Sequence, residues 1–329
     1  WYIPSLAECG IKESVGNEEI TMNEYFNIRS DNGFMFYNAK DYQHKVRTSK
    51  LTDDCPISDR ILLLIDKQFS RWHDTWYKKR ETPPLGHISG YLDKNDPLLN
   101  ASVVLRKGMA SKLSLSKVLI SKEYSEKANL MIIDPDEIIV GNMPQLSLGI
   151  GSQVMEYLTE EEKITGFFGN LNEYSATGHN APDYHLIVTE GIDAIREKFQ
   201  DKYNTSTDES KEFYQAVVWT LEGLSTFIEA YAIKAREMLK DTEDYSQTEI
   251  HNLELIAHRM ERIAHKTPRT FIEGLNLVFL VNCALHQTGE PMSIGRMDQF
   301  MYNLYKNDKE NDGVSEDKFQ EALDSFWLK

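Results

Sequence analysis

The alternation of apolar and polar positions is clearest in the second half of the chain. Phe213, Val217, Leu221, Leu224, Ile228, Tyr231 and Ala235 recur by fours and threes, which predicts one apolar face on a long helix. Ser206 and Glu209, ahead of that face, have the S-x-x-E spacing of a capping box. Ser246 and Glu249 repeat the signature before Ile250, Leu253, Ile256, Met260 and Ile263. That helix is expected to stop near Lys266, because Pro268 disfavours helical geometry at Thr267. A third box, Thr270 with Glu273, opens "FIEGLNLVFLVNCALH", which is apolar nearly all round and therefore predicts a buried helix.

Upstream, "RILLLIDKQFSRWHDTWY" at 60–77 predicts a helix packed on most of its faces, and "ASVVLRKGMASKLSLSKVLI" has helical spacing over 101–129. "MIIDPDEIIVGN" at 131–142 sets two β-branched apolar triplets around Asp-Pro-Asp-Glu, and predicts a turn with a short extended segment. The reading is of a helix-rich chain with a few short strands.

Charge narrows the partners. Asp and Glu outnumber Lys and Arg by 52 to 36, a formal net charge of -16 that repels nucleic acid and anionic lipid. "GLNLVFLVNCAL" at 274–285 is too short to cross a bilayer. Cys9, Cys55 and Cys283 lie far apart and make neither a disulfide framework nor a zinc pattern, which fits a reducing cytoplasm. The first residues have no initiator Met, and the last, "LDSFWLK", break off within a helical pattern, so both ends are expected to be cut.

Several stretches carry a sharper signal in order and register. "DPDEIIVGN", "GHNAPDYHLIVTEGIDAI", "KEFYQAVVWTLEGLSTFIEAYAIKAREM", "PRTFIEGLNLVFLVNCALH", "SIGRMDQFMYNLYKND" and "EALDSFWLK" together resemble the first half of the glycyl radical enzymes, the family of pyruvate formate-lyase and the radical diol dehydratases. The resemblance runs from about residue 101 to 329. It implies a helix-rich α/β fold, in which 1–100 form a helical or irregular N-terminal region and 101–329 the first part of a ten-stranded barrel, incomplete at its C-terminal end. It also implies a glycyl radical installed by an S-adenosylmethionine and iron-sulfur activating enzyme, a thiyl radical on a buried cysteine that attacks a small substrate, and a homodimer at full length. The family's cysteine loop and "RVxGY"-like glycine loop belong to its second half and do not occur here. Cys283 sits inside the apolar helix and reads as a small buried hydrophobe. No cofactor or metal is expected on this chain, which alone should catalyse nothing.

By the same resemblance, His179 in "GHNAPDY" matches a position that carries an arginine for the substrate carboxylate in pyruvate formate-lyase and a histidine reaching a hydroxyl in the diol dehydratases. The chemistry agrees, since arginine offers a fork to carboxylate whereas neutral imidazole exchanges one hydrogen bond with an alcohol. Equally, His179 could fill a tight turn shaped by Gly178 and Pro182. Ser293, in "MSIGRMDQF", matches a position near the active site in some dehydratases, or is a turn serine before Gly295.

The neighbouring residues read as structural. Asp183 caps the helix that follows it, with Tyr184 beside it. Arg296 and Asp298 each find a separate backbone partner. Gly191 marks a helix end or a close backbone contact, while Gly295 takes positive φ and is the costlier of the two to replace. His251, His258 and His265, seven apart, form a solvated or packed face on one helix, too widely spaced for a shared metal. The segment around 274–285 is expected to need cover from barrel strands, leaving an apolar patch on this chain. Two functions follow: the N-terminal portion of a glycyl radical lyase, dehydratase or formate C-acetyltransferase-like enzyme, or a non-catalytic helical module or split subunit that binds a partner chain.

Overall fold

In a computed structural model of the protein, the described residues are 14–15, 18–19, 57–76, 86–128, 131–142, 155–169, 181–207, 210–286 and 292–329. They fall into two units. One holds an antiparallel pair of two-residue strands, β1 (Ser14–Val15) and β2 (Glu18–Glu19), with Ser14 opposite Glu19, and the later part of helix α1 (Asp59–Trp76). The other holds the start of α1 and everything from residue 86 onward. In the first part of α1, Ile61, Leu64, Ile65 and Gln68 are buried and Leu63 is 40% exposed.

The larger unit is helical. Helix α2 (Val103–Leu113) runs into a π-helical turn (Ser114–Val118), followed by α3 (Lys122–Ala128), α4 (Glu160–Phe168), α5 (Tyr184–Glu190), α6 (Ile192–Thr205), α7 (Ser210–Met238), α8 (Gln247–Ile263), α9 (Phe271–His286), α10 (Met297–Phe300), α11 (Tyr302–Asn311) and α12 (Glu316–Trp327). Its only β pairing among the described residues is an isolated parallel bridge between His87 and Glu156. Helix α7 is the spine, flanked by α2, α6 and α8. Two helical glycines explain how closely α2 approaches it: a Cβ on Gly108 would lie 2.6 Å from Ala216, and one on Gly223 would lie 2.8 Å from Lys112 Cα. Each glycine costs about 1 kcal/mol of helix propensity, which the close packing of the two backbones offsets.

The caps test the sequence reading one by one. Ser246 and Glu249 make the full capping box, with the Ser246 hydroxyl accepting from Glu249 N–H and the Glu249 carboxylate from Ser246 N–H at 2.7 Å. Thr270 and Glu273 make half of one: Thr270 accepts from Glu273 N–H, but the carboxylate turns to Arg269, taking its backbone N–H at 2.6 Å and its guanidinium at 3.2 Å. Ser206 is instead the C-cap of α6, its N–H donating to Lys202 C=O, and α7 starts at Ser210; Glu209 lies outside the described residues. The apolar face of α7 turns along its length, leaving Phe213 54% exposed and burying Ala216 and Val218, while Leu224, Ile228, Tyr231 and Ala235 are buried as expected.

Helix α9 is buried along nearly its whole length, from Phe271 through Ala284. Its cover comes from the chain's own α5, α7, α8, α11 and α12 and from residues 131–142, so the expected apolar patch at 274–285 does not form. Among the described residues the two most exposed large apolar side chains are Phe167 and Phe168, on α4. Residues 131–142 make the expected turn, with Glu137 N–H donating to Asp134 C=O at 2.9 Å, and the rest of the segment pairs with no strand among the described residues. Asn276 Oδ1 accepts from Val140 N–H at 2.9 Å while its Nδ2 donates to Ile138 C=O at 3.0 Å. Asn252 Nδ2 donates to Pro135 and Glu137 C=O, and Arg60 donates to Asp136 and Glu137 C=O. Side chains from three helices thus do for this backbone what a neighbouring strand does in a sheet. Glu137, 1% exposed, also meets Lys329 Nζ at 2.6 Å.

Candidate functional site

Of the residues singled out by sequence, Tyr184, Cys283 and the stretch leading into Ser293 lie at the C-terminal part of α9. Asp183 Oδ1 accepts from Leu186 N–H at 3.0 Å, which makes it the N-cap of α5 as its residue type predicts. Tyr184, 1% exposed, donates its hydroxyl to Asn282 Oδ1 at 3.1 Å and stacks obliquely on Phe300, with centroids 5.8 Å apart. Burial pushes its phenol well above the ordinary value. Tyr184 therefore ties the start of α5 to α9 and α10.

The second motif arrives from the other side. Gly295 has φ +72, the positive value expected of it, and a Cβ there would lie 3.4 Å from the Cβ of Ala181. Ala181 is two residues after His179 and Ser293 two before Gly295, so the two motifs meet through this contact. Ser293 is exposed. His179 lies outside the described residues. Arg296 and Asp298 do not seek separate backbone partners: Arg296 Nε and Nη2 grip Asp298 Oδ1 and Oδ2 at 2.9 and 2.7 Å. Both ends of this fork are exposed, and the mutual hydrogen bonds raise the guanidinium pKa and lower that of the carboxyl.

Two further residues complete the end of α9. Cys283 is fully buried, 3.6 Å from Asn142 C=O, and burial drives its thiol pKa far up, the opposite of an activated nucleophile. His286, which the sequence reading passed over, is 8% exposed, and its Nε2 accepts from Met292 N–H at 3.4 Å. Its one visible signal in the sequence is a polar residue closing an apolar run.

The remaining histidines divide. His251 and His258 lie on the exposed side of α8, beside Glu254 and Glu261. His265 falls beyond the end of α8 and bridges two carboxylates, Asp193 at 3.2 Å and Glu229 at 2.5 Å. Burial opposes its charge, yet the hydrogen bonds to Glu229 and Asp193 prevail and raise its pKa. Among the described residues no group of His, Cys, Asp or Glu is arranged to hold a metal ion, and no helix is long and apolar enough to cross a membrane. An apolar cavity of about 90 Å³ lies on another side of α9, bounded by Leu115, Met155, Leu224, Val281 and Leu285. Ser293 does not line it.

An all-helical frame with two converging loop motifs at one helix end defines the class, and comparison with known proteins defines the family. Residues 149–329, more than half of the chain, match the family model described as pyruvate formate lyase-like. The chain belongs to that family, the glycyl radical enzymes. It is 31% identical over 186 residues to the probable dehydratase YbiW of Escherichia coli, covering 52% of this chain and 22% of the relative. It is 35% identical over 165 residues to the 4-hydroxyphenylacetate decarboxylase glycyl radical subunit of Clostridioides difficile, covering 46% and 18%. The glycerol-bound B12-independent glycerol dehydratase of Clostridium butyricum shares the fold at TM-score 0.58 and 19% identity, over 84% of this chain and 40% of that one. The chain thus spans about a fifth of the length of these curated relatives. The barrel is not seen among the described residues.

Proposed function

We propose that the chain is the N-terminal portion of a glycyl radical dehydratase or lyase that cleaves a C–O, C–C or related bond in a small hydroxylated or carboxylated substrate. The observation that carries this is the contact of Ala181 with Gly295, which sets the "GHNAPDY" and "MSIGRMDQF" motifs side by side. The names of the relatives, dehydratases and a decarboxylase, favour elimination or decarboxylation over formate acetyl transfer. In this reading the radical glycine and the attacking cysteine lie outside this sequence and supply hydrogen abstraction, after activation by a radical S-adenosylmethionine enzyme. This chain supplies orientation. His179 offers one hydrogen bond to a substrate hydroxyl, and Ser293 can donate to or accept from the same molecule. The full-length protein is expected to form a homodimer in the cytoplasm.

The test is His179→Ala in the full-length enzyme. The glycyl radical signal in electron paramagnetic resonance is expected to persist, while kcat/KM on a panel of diols, hydroxy acids and pyruvate falls about tenfold to a hundredfold. Unchanged turnover would make His179 a turn residue and remove the substrate assignment.

One observation favours a second reading. Helix α9 is covered by the chain's own helices, as a self-contained module or split subunit requires. The discriminator is the reading frame after Lys329: continuation into a Gly-Cys-x-Glu-like loop and an Arg-Val-x-Gly loop supports the enzyme, and an immediate stop without a neighbouring second-half gene supports the module.

A further inference from the structure

His286 closes α9 beside the meeting point of the two motifs, and its two ring nitrogens differ. Nε2 accepts from Met292 N–H, so this nitrogen carries the lone pair. Burial also holds the ring's pKa below the ordinary histidine value, which keeps it neutral near pH 7. A neutral ring with its lone pair on Nε2 carries its proton on Nδ1. That Nδ1 is buried and has no hydrogen-bond partner among the described residues, in a residue more than nine-tenths buried. Buried donors without acceptors are rare, and a water, an ion or a ligand atom can complete the set.

Resting on the proposed function above, we propose that His286 Nδ1–H is a substrate-binding donor that takes an oxygen acceptor of the small substrate, either a hydroxyl or a carboxylate oxygen. Its position supports this, because the residue it anchors through Nε2, Met292, immediately precedes Ser293. One ring then both fixes the backbone that leads into Ser293 and offers a second polar contact. The donor is neutral, so it suits an uncharged hydroxyl as well as a carboxylate, and the two are separable by substrate choice.

Substitutions can split the two nitrogens. His286→Asn keeps a donor near the Nδ1 position and loses the reach to Met292; His286→Gln keeps an acceptor for Met292 N–H and loses the inward donor. The measurement is calorimetric binding of diols and hydroxy acids to the unactivated full-length enzyme, with kcat/KM after activation. Loss of the inward donor is expected to weaken binding about tenfold in His286→Gln, and less in His286→Asn. A larger loss for the diols assigns a hydroxyl as acceptor, and one for the hydroxy acids a carboxylate. If His286→Gln binds as wild type, or if His286→Asn loses more than His286→Gln, the ring is only a brace for Met292 and the proposal falls. Should either variant misfold, histidine-labelled wild-type protein serves instead: substrate is expected to shift the Nδ1 nitrogen resonance, and an unmoved resonance overturns the proposal. A wild-type enzyme that forms no glycyl radical and binds nothing in the panel defeats the underlying function, a result distinct from a radical-bearing enzyme indifferent to His286.

Discussion

Two irregular segments meet helix α9, and they are held in opposite ways. Residues 131–142 lie along it from Asn276 to Cys283, with their backbone groups claimed by Asn252, Asn276 and Arg60, and Ile138, Ile139 and Val140 are buried. Residues 292–298 reach its last turn through one long bond from Met292 N–H to His286, and leave Ser293, Arg296 and Asp298 exposed. The first segment shows that extended chain can be satisfied without a sheet. The second shows the pattern of a site, in which the scaffold is fixed by Tyr184 and Gly295 while the polar side chains stay available.

If this contrast is right, the largest effect lies on the structural side. Asn276→Ala removes the partners of Val140 N–H, Ile138 C=O and Ile272 C=O from a fully buried position, and is expected to cost about 3 to 5 kcal/mol in urea unfolding. A loss under about 1 kcal/mol would mean that the segment is held by its apolar triplets and not by the amide.

The glycines come next, and their order reverses the one expected from sequence. Gly191 also has positive φ, at +79, and a Cβ there would lie 2.6 Å from Thr267 N and 2.8 Å from Lys266 C. These are backbone atoms that cannot turn aside. Gly191→Ala is expected to cost about 2 to 4 kcal/mol, whereas Gly295→Ala, with ordinary contact at 3.4 Å, costs about 1 to 2 kcal/mol for its φ alone. Thermal melts of the pair decide it; equal losses would place the whole cost in φ.

The smallest effect is a pH dependence. Because His265 is raised in the folded state, its contribution is complete below the unfolded value near 6.5 and is lost as pH rises through the folded value. Its partners are Asp193, itself paired with Arg196, and Glu229. Melting temperature is therefore expected to decline as pH rises above about 6.5, and the decline to flatten in His265→Gln. An identical slope in both proteins would assign it elsewhere.

What could be read beforehand follows from how local the physics is. The Ser246 box, the Asp183 cap and the burial of α9 need only the residues beside them. Gly191 was legible as an alternative between helix end and backbone contact, and it proves to be both. Other features depend on a distant partner. Glu273 abandons its box because Arg269 offers charge as well as an N–H, with Arg262 3.6 Å away. The triplets at 131–142 look like a strand because apolar alternation cannot say whether the backbone will find another strand or an asparagine from a helix more than a hundred residues away. His265 shares a seven-residue spacing with His251 and His258, but α8 ends before reaching it. His286 escaped notice because an unpaired nitrogen is a property of surroundings, not of spacing.

The way α9 is covered has a consequence for the order of events during synthesis. Residues 131–142 and helices α2 to α8 leave the ribosome before α9, so most of its surroundings are already made when its apolar surface emerges. Its last cover, α12, begins at Glu316, thirty residues after His286. At roughly 5 to 20 residues per second that interval lasts about 2 to 6 s. For those seconds Phe279, which meets Phe326 edge-on in the finished structure, has no ring to lean on. A ribosome pause within 287–315 would lengthen the interval in which a nascent chain is vulnerable to chaperone capture or to association with its neighbours.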